Sequence, residues 1–471
     1  MSHHSTKLLF ADEAGRVYEH PELLALVREG EGAVLPREVP VALPPHAQLA
    51  MLPGRRPLGL DPRTGAVVEV REMKLGKRTV RASAVGAVLP PGWTRLALPA
   101  YRTSTVAPLL PQWAYTAAAW DRSLGHVAYA LHTDLRRHWD PGAHSTAELP
   151  GLVSARLSRD HNPLLKQLAR CALEWRCFTA QNTFYVRDEG AIPASVGCNA
   201  RCVGCISEQP PEGPPSSHER MEDAPDARRM AEIGIPHLRD APGRTMISFG
   251  QGCEGEPLTR AHVIADAIRR MRNATSRGSI NINTNGSLPE NLDLLIEAGL
   301  DACRISLNSA HAPLYEAYYR PVRYGFRDVV RSIRLAKKRG IYTALNLLTF
   351  PGVTDRQGEM DALCELVGSA RVDQVQVRSL AIDPEQYLAV AERTSAGGTP
   401  QQRAHARRPA GPGHRELRAR SRRARLTRLP HGRRRRGVSV LHHADLSAGQ
   451  STTPQQINGI SGGRDAGVSG S

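Results

Sequence analysis

"SVGCNARCVGCISEQP", residues 195–210, places Cys198, Cys202 and Cys205 within eight residues at C-x3-C-x2-C spacing; the other five cysteines are scattered. The stretch opens a change of rhythm. From residue 183 onward, short apolar runs alternate with helical periods. The runs are "AIPASVG", "TMISFG", "SININ", "ACRISL", "YTALNLLTF" and "QVQVRSL". Helical segments are expected near 223–236, 258–275, 288–298, 325–339 and 356–369. In the second of these, Ile264, Ile268 and Met271 share one face. Gly299 and Gly340 follow helices, where a left-handed residue ends the turn. Short strands alternating with helices predict a parallel sheet with right-handed crossovers, in six units. Functional sites of such folds gather at the carboxyl ends of the strands, where the cysteines fall.

Two chemistries compete for three close thiolates. A structural zinc site takes four protein ligands. His218 is a distant fourth candidate, but this spacing is not that of a zinc ribbon. A four-iron cluster can be held by three thiolates, leaving the fourth iron open to a substrate.

At this point the chain resembles the radical S-adenosylmethionine (radical SAM) enzymes over about residues 190–390. Their signature is a C-x3-C-x2-C loop after the first strand of a six-unit partial barrel. "GQGCEGEPLT" after strand two resembles their Gly-Gly-Glu-Pro region, with Gly255, Glu256 and Pro257 matching its latter part. The resemblance implies that this turn meets the cofactor's ammonium, which suits a carboxylate and carbonyls in a glycine-permitted turn. It further implies cofactor contacts from Asn285, with Gly286, in "NTNGSL" and from Ser306 and Asn308 in "RISLNSA". Asn346 on strand five and Arg378 on strand six complete the set, with the backbone near Ala381 and Ile382 flanking the adenine. The implied cofactors are a 4Fe-4S cluster on Cys198, Cys202 and Cys205, and S-adenosyl-L-methionine. The implied chemistry is reductive cleavage to a 5′-deoxyadenosyl radical that acts on an unidentified substrate. An external flavodoxin- or ferredoxin-like protein supplies the electron.

The sequence departs from the family at Gly204, where many members carry an aromatic residue that packs on the adenine. It also lacks a cysteine-rich extension after the sixth unit. Structural readings stand beside the functional ones. Glu256 could be a turn residue, Ser306 and Asn308 could cap the next helix, and Arg378 could pair with Asp383. Cys253 is a relay or ligand candidate, or else a buried thiol. Cys303 and Cys364 are expected in the core, and Cys171 and Cys177 as buried hydrophobes.

The rest of the chain sets the frame. Residues 1–105 read as a small β-rich domain, from "VPVALPP", "GAVVEVREM", "RTVRASAVGAVLP" and "TRLALPAY". Residues 106–182 read as a helical segment holding Trp113, Trp120, Trp139 and Trp175. The barrel follows over 183–393. Of the formal charge of +16, +12 falls in residues 394–471, which hold fifteen Arg, no Lys and three acids. That aromatic-free tail is expected to be disordered, either a genuine extension or the product of a shifted reading frame. An arginine-rich arm suggests the rival function, a zinc-stabilised nucleic-acid-binding protein. The enzyme reading is preferred, with no nucleic-acid or membrane partner. The sequence shows no apolar run of 18 residues and no signal-peptide pattern, so a cytoplasmic protein is expected. The fold class is thus α/β: a partial (β/α)6 TIM-like barrel after a β-rich domain and a helical segment.

Overall fold

The computed structural model describes residues 6–30, 32–136 and 139–396. A six-stranded parallel sheet runs in chain order: Glu189–Ile192, Met246–Phe249, Ser279–Thr284, Ala302–Leu307, Tyr342–Thr349 and Gln374–Ser379. They are called strands one to six below. The ladders are regular, with Ile247 opposite Ile280, Ile282 opposite Cys303 and Leu345 opposite Val375. Helices Ala227–Asp240, Ala261–Ala274, Pro289–Ala298, Phe326–Lys338 and Gln357–Ala370 connect them. A sequential strand order with right-handed crossovers puts these helices on one face. Ile247, Phe249, Ile280, Ile282, Ile305 and Leu345 are fully buried, as are Ile264, Ile268 and Met271 of the second helix. Gly299 and Gly340 sit at φ 113° and 79°, ending their helices as expected.

The sheet's other face is polar. Arg304 of strand four pairs with Glu189 of strand one at 2.7 Å and donates to Asn283 at 3.1 Å. Ser248 donates to Glu189, and Asn281 donates to Ser248 at 3.0 Å. These polar groups hydrogen-bond to one another, as burial requires.

Four expectations need correction. Residues 112–132 are not helical. Strands Thr116–Asp121, Gly125–Ala128 and Ala130–His132 run there. The alanines suggested helix, but the Asp121–Gly125 turn decides. Asp121 accepts from the Ser123 and Leu124 amides, and Gly125 takes φ 72°. Small side chains then pair across the hairpin, Ala118 opposite Ala128. The strand Thr116–Asp121 joins the same ten-stranded sheet as Lys7–Ala11, so β structure runs past residue 105. Helices begin only at Leu149–Arg159, followed by Pro163–Leu173 and Phe178–Tyr185. Second, Cys364 is exposed, on the outer face of its helix, whereas Cys303 is buried. Third, Arg378 does not pair with Asp383, whose partner is Arg55 at 2.6 Å. Fourth, the last helix, Pro384–Ala396, runs beyond residue 393. The remainder of the expected tail lies outside the described residues.

The N-terminal sheet docks on strand six and the last helix. The Arg95 amide donates to Ser379 Oγ and its guanidinium to the Leu380 carbonyl. Arg55 is 2% exposed and Asp383 1%. Asp383 also takes the Leu110 amide while its other oxygen caps the last helix at the Glu385 amide. Arg28 and Tyr101 close on Glu385.

Candidate functional site: a three-cysteine loop beside a buried carboxylate turn

The cysteine loop leaves strand one and is laced to its surroundings. Its Arg201 and Val203 amides donate to the carbonyls of Tyr319 and Tyr318, and the Val322 amide donates back to Asn199. Cys202 and Cys205 are half-buried and Cys198 is exposed; all three are free thiols. The Ala200 amide points at Cys198 Sγ (3.4 Å) and Arg220 Nη2 at Cys205 Sγ (3.6 Å). Burial first, then the nearby Cys205 and Cys198, pushes the Cys202 thiol well up. Three thiolates so placed repel one another and need a cationic group among them. Among the described residues no three His, Cys, Asp or Glu side chains close on a single metal ion, as a zinc site requires.

Gly204 has no room for an aromatic side chain. A Cβ there would lie 2.8 Å from Tyr318 Oη and 3.4 Å from Ile382. Tyr318, from the helix Ala312–Tyr319, lies against Gly204, a neighbour that the sequence pattern did not reveal.

The turn after strand two is built on two buried carboxylates. Glu254 accepts four backbone amides: Gly250 and Gln251 on one oxygen, Ala194 and Ser195 on the other. Glu256 accepts the Leu258 amide (3.0 Å), Thr284 Oγ1 (2.5 Å) and the Asn285 amide (2.8 Å). Burial pushes both carboxyls up to about 7, against the opposing pull of these donors. Glu256 is therefore a strut between the loops after strands two and three. A carboxylate offers about four lone-pair sites, so roughly one is left for a ligand. Gly255 is obligatory: a Cβ would lie 2.0 Å from the Gly197 carbonyl oxygen, against the cysteine loop. Pro257 is buried and opens a short 3-10 turn capped by Glu256.

The remaining candidates divide. Asn285 joins the cluster of loops, donating to Asn199 Oδ1 at 2.9 Å, while Asn199 donates to Ser287. Asn308 is fully buried and donates to the Leu314 carbonyl and to Tyr387 Oη. It ties strand four to two helices rather than capping one. Its Oδ1 has no hydrogen-bond partner in the described structure. Ser306 and Asn346 lie opposite each other on strands four and five, and Asn346 lies opposite Gln376. Asn346 Oδ1 and both amide atoms of Gln376 are buried without a partner. Arg378 lies over the Trp139 ring, 4.8 Å from its centroid. Ala381 and Ile382 are buried just beyond strand six. Cys253 packs in the core beside Cys171, whose thiol it helps push up.

Sequence reasoning missed Glu254, though it sits within the quoted turn, and Gln112. The Gln112 amide reaches from the N-terminal unit to the Cys205 carbonyl (3.1 Å), where Gln209 also donates (2.7 Å). No local pattern marks a contact 93 residues away.

The donor set fits an iron–sulfur cluster with one open iron: three thiols on one loop, with N–H donors aimed at two of the sulfurs. Unpartnered amide oxygens at Asn308 and Asn346 and a glycine-only approach at Gly255 fit a polar ligand beside it.

The chain is similar to known proteins over part of its length. The Radical SAM superfamily family model matches residues 192–364. GTP 3′,8-cyclase from Listeria welshimeri is 29% identical over 176 residues, 36% of this chain and 48% of that protein. The Chlorobaculum tepidum GTP 3′,8-cyclase is 27% identical over 202 residues, 42% and 54% of the two chains. The chain thus spans about half the length of the curated relatives it matches. The solved structure of native anSMEcpe with bound AdoMet aligns at TM-score 0.33 and 18% identity, over 41% of this chain and 52% of that one. With the cysteine loop after strand one of a six-stranded parallel sheet, residues 192–364 of this chain form a radical SAM domain.

Proposed function

We propose that the chain is a radical SAM enzyme whose Cys198, Cys202 and Cys205 hold three irons of a 4Fe-4S cluster. When bound, the cluster and S-adenosyl-L-methionine supply a one-electron cleavage that gives methionine and a 5′-deoxyadenosyl radical, able to take hydrogen from an unactivated carbon. The protein's part is to hold, orient and keep dry. Gly255, Glu256 and Pro257 form the turn that meets the ammonium, with Glu256 also bracing the Asn285 turn. Ser306, Asn308 and Asn346 line the polar side of strands four and five toward the ribose and carboxylate. Arg378 and the Ala381–Ile382 backbone bound the adenine end, where Tyr318 lies against Gly204. The sheet is read as a partial (β/α)6 barrel, with the N-terminal unit closing its strand-six edge. A flavodoxin- or ferredoxin-like donor and a cytoplasmic setting suit this chemistry. Among the described residues no helix is long and apolar enough to cross a membrane.

One observation carries the reading: the three-thiol loop is laced to the loops after strands two and three through Gly197 and Asn199, and to the end of the helix Ala312–Tyr319 through the Arg201 and Val203 amides. Anaerobic purification and reconstitution should give brown protein with about four irons and matching sulfide. With dithionite and S-adenosyl-L-methionine it should form 5′-deoxyadenosine. Colourless protein holding zinc after reconstitution with iron and sulfide overturns the assignment.

A further inference from the structure

Arg220 lies outside the cysteine motif, beyond the loop "SEQPPEGPPSS". Its segment is threaded between the two loops of the site. The His218 amide donates to the Ile206 carbonyl and the Met221 amide to the Cys253 carbonyl. The His218 ring stacks on Trp175 with centroids 5.3 Å apart. The backbone on both sides of Arg220 is therefore fixed. Its guanidinium is largely sheltered, with 17% of the side chain exposed. Nε and Nη2 donate to Ser207 Oγ at 3.2 and 3.1 Å, and Nη1 pairs with Glu208. Nη2 is left facing Cys205 Sγ at 3.6 Å. Ser207 Oγ lies 3.7 Å from the same sulfur.

We propose that Arg220 is a positioning residue that acts through the Cys205 sulfur to raise the reduction potential of the bound cluster. The inference rests on the cluster assignment above. Reduction adds one electron and no proton to the cluster, so the reduced form carries one more negative charge. A guanidinium carries a positive charge that, largely sheltered from solvent, is screened little. It stabilises the reduced form more than the oxidised one. Hydrogen bonds to sulfur and local charge are the levers that set such potentials. Glu208 opposes it from the far end of the same guanidinium.

The experiment is an EPR-monitored redox titration of the full chain, reconstituted anaerobically, with dithionite as reductant and soluble mediators. Wild type, Arg220→Gln, Arg220→Lys and Glu208→Gln are compared at equal iron content. Arg220→Gln should shift the reduced-to-oxidised ratio at a given potential about tenfold toward oxidised, the equivalent of one lost charge-assisted hydrogen bond. For a one-electron couple that is about 59 mV downward. Arg220→Lys should recover part of the shift, and Glu208→Gln should move the midpoint upward. A wild-type midpoint in Arg220→Gln with full iron overturns the proposal. So does a shift of Glu208→Gln in the same direction as Arg220→Gln, which would mean a loosened loop rather than a lost charge. If Arg220→Gln loses iron, the sign of the Glu208→Gln shift decides alone. A wild-type chain that assembles no cluster removes the cluster assignment itself, a separate outcome.

Discussion

Glu256→Gln tests the carboxylate turn most directly, because its effects on stability and on binding can be worked out separately. The wild-type carboxylate accepts three donors from the chain. An amide keeps one acceptor oxygen. If that oxygen stays with the Leu258 amide and Thr284, the new NH2 faces the Asn285 amide. One buried hydrogen bond is lost and its donor stranded, a cost of about 1–3 kcal/mol. Against this, the amide removes a buried charge. The Glu256 carboxyl is pushed up to about 7 by burial, from 4.5, which corresponds to about 3 kcal/mol against the ionised folded form. Its folded value lies above its unfolded one. The stability it contributes is therefore fully present below about 4.5 and lost as pH rises through about 7. At pH 8 the two effects nearly cancel, and the variant should lie within about 2 kcal/mol of wild type. Between pH 5 and 7 the wild type should lose stability more steeply than the variant. Glu254, also pushed up to about 7, adds to that slope, while His144 and His237, pushed down to about 4 by burial, oppose it, so Glu256→Gln should remove the Glu256 share alone.

Urea unfolding of the apo chain at three pH values measures the first effect. The second is affinity. Without Glu256 the Asn285 turn loses its anchor and the ammonium loses a charged acceptor. Binding of S-adenosyl-L-methionine should weaken about ten- to a hundredfold, with iron content unchanged. Titrating the reduced, reconstituted variant and following the cluster's EPR signal reads this out. An unaltered binding midpoint would refute the cofactor role, and an unaltered pH slope would refute a carboxyl titrating near neutrality.

Alanine at Cys198, Cys202 or Cys205 should each abolish cluster assembly, since three thiolates leave no spare ligand, whereas Cys303→Ala should keep its iron; near-full iron in Cys202→Ala contradicts this. Gly255→Ala should disrupt cluster loading, because its methyl would meet the Gly197 carbonyl at 2.0 Å; normal loading would show that the two loops can part cheaply. Deleting residues 397–471 should leave reductive cleavage intact, and loss of cleavage with the cluster present would show a role for that segment.

The central sheet was legible because its signals are local. Six apolar runs separated by helical periods give the strands, and the cysteine spacing falls where the first strand ends. The turn residues 255–257 and 285 were legible by their types. The hairpin at 116–132 was not, because alanines carry little preference once buried between layers and the deciding turn holds a single glycine. That Glu256 also braces two loops was not legible, since sequence cannot say which donors surround a carboxylate. Gln112, Glu254, Tyr318 and Arg220 act through long-range contacts that no spacing rule encodes. Arg378 and Asp383, five residues apart, looked like partners, but Arg55 brings a buried guanidinium from the other unit.

That last contact bears on how the chain works as a whole. Among the described residues strand six pairs only with strand five, and such an edge must be covered. The N-terminal unit covers it through Arg95, Arg55 and Leu110, and the same unit reaches the Cys205 carbonyl through Gln112. The family match stops short of this unit, yet the site is built against it. Asp383→Asn should show the coupling. Its Oδ1 can still cap the last helix at Glu385 and Gln386. The new NH2 then faces the Arg55 guanidinium and the Leu110 amide, both donors. Arg55 is left buried with Glu385, 3.6 Å away, as its remaining carboxylate, a loss somewhat below the ~3–5 kcal/mol of a buried charge with no partner. The N-terminal unit should release from the strand-six edge, and proteolysis between residues 104 and 115 should quicken. Iron loading should fall as well, because Gln112 leaves Cys205. Faster cleavage with full iron would mean that Gln112 does nothing for the cysteine loop. Unchanged cleavage and unchanged unfolding would mean that the Arg55–Asp383 pair does not hold the two units together.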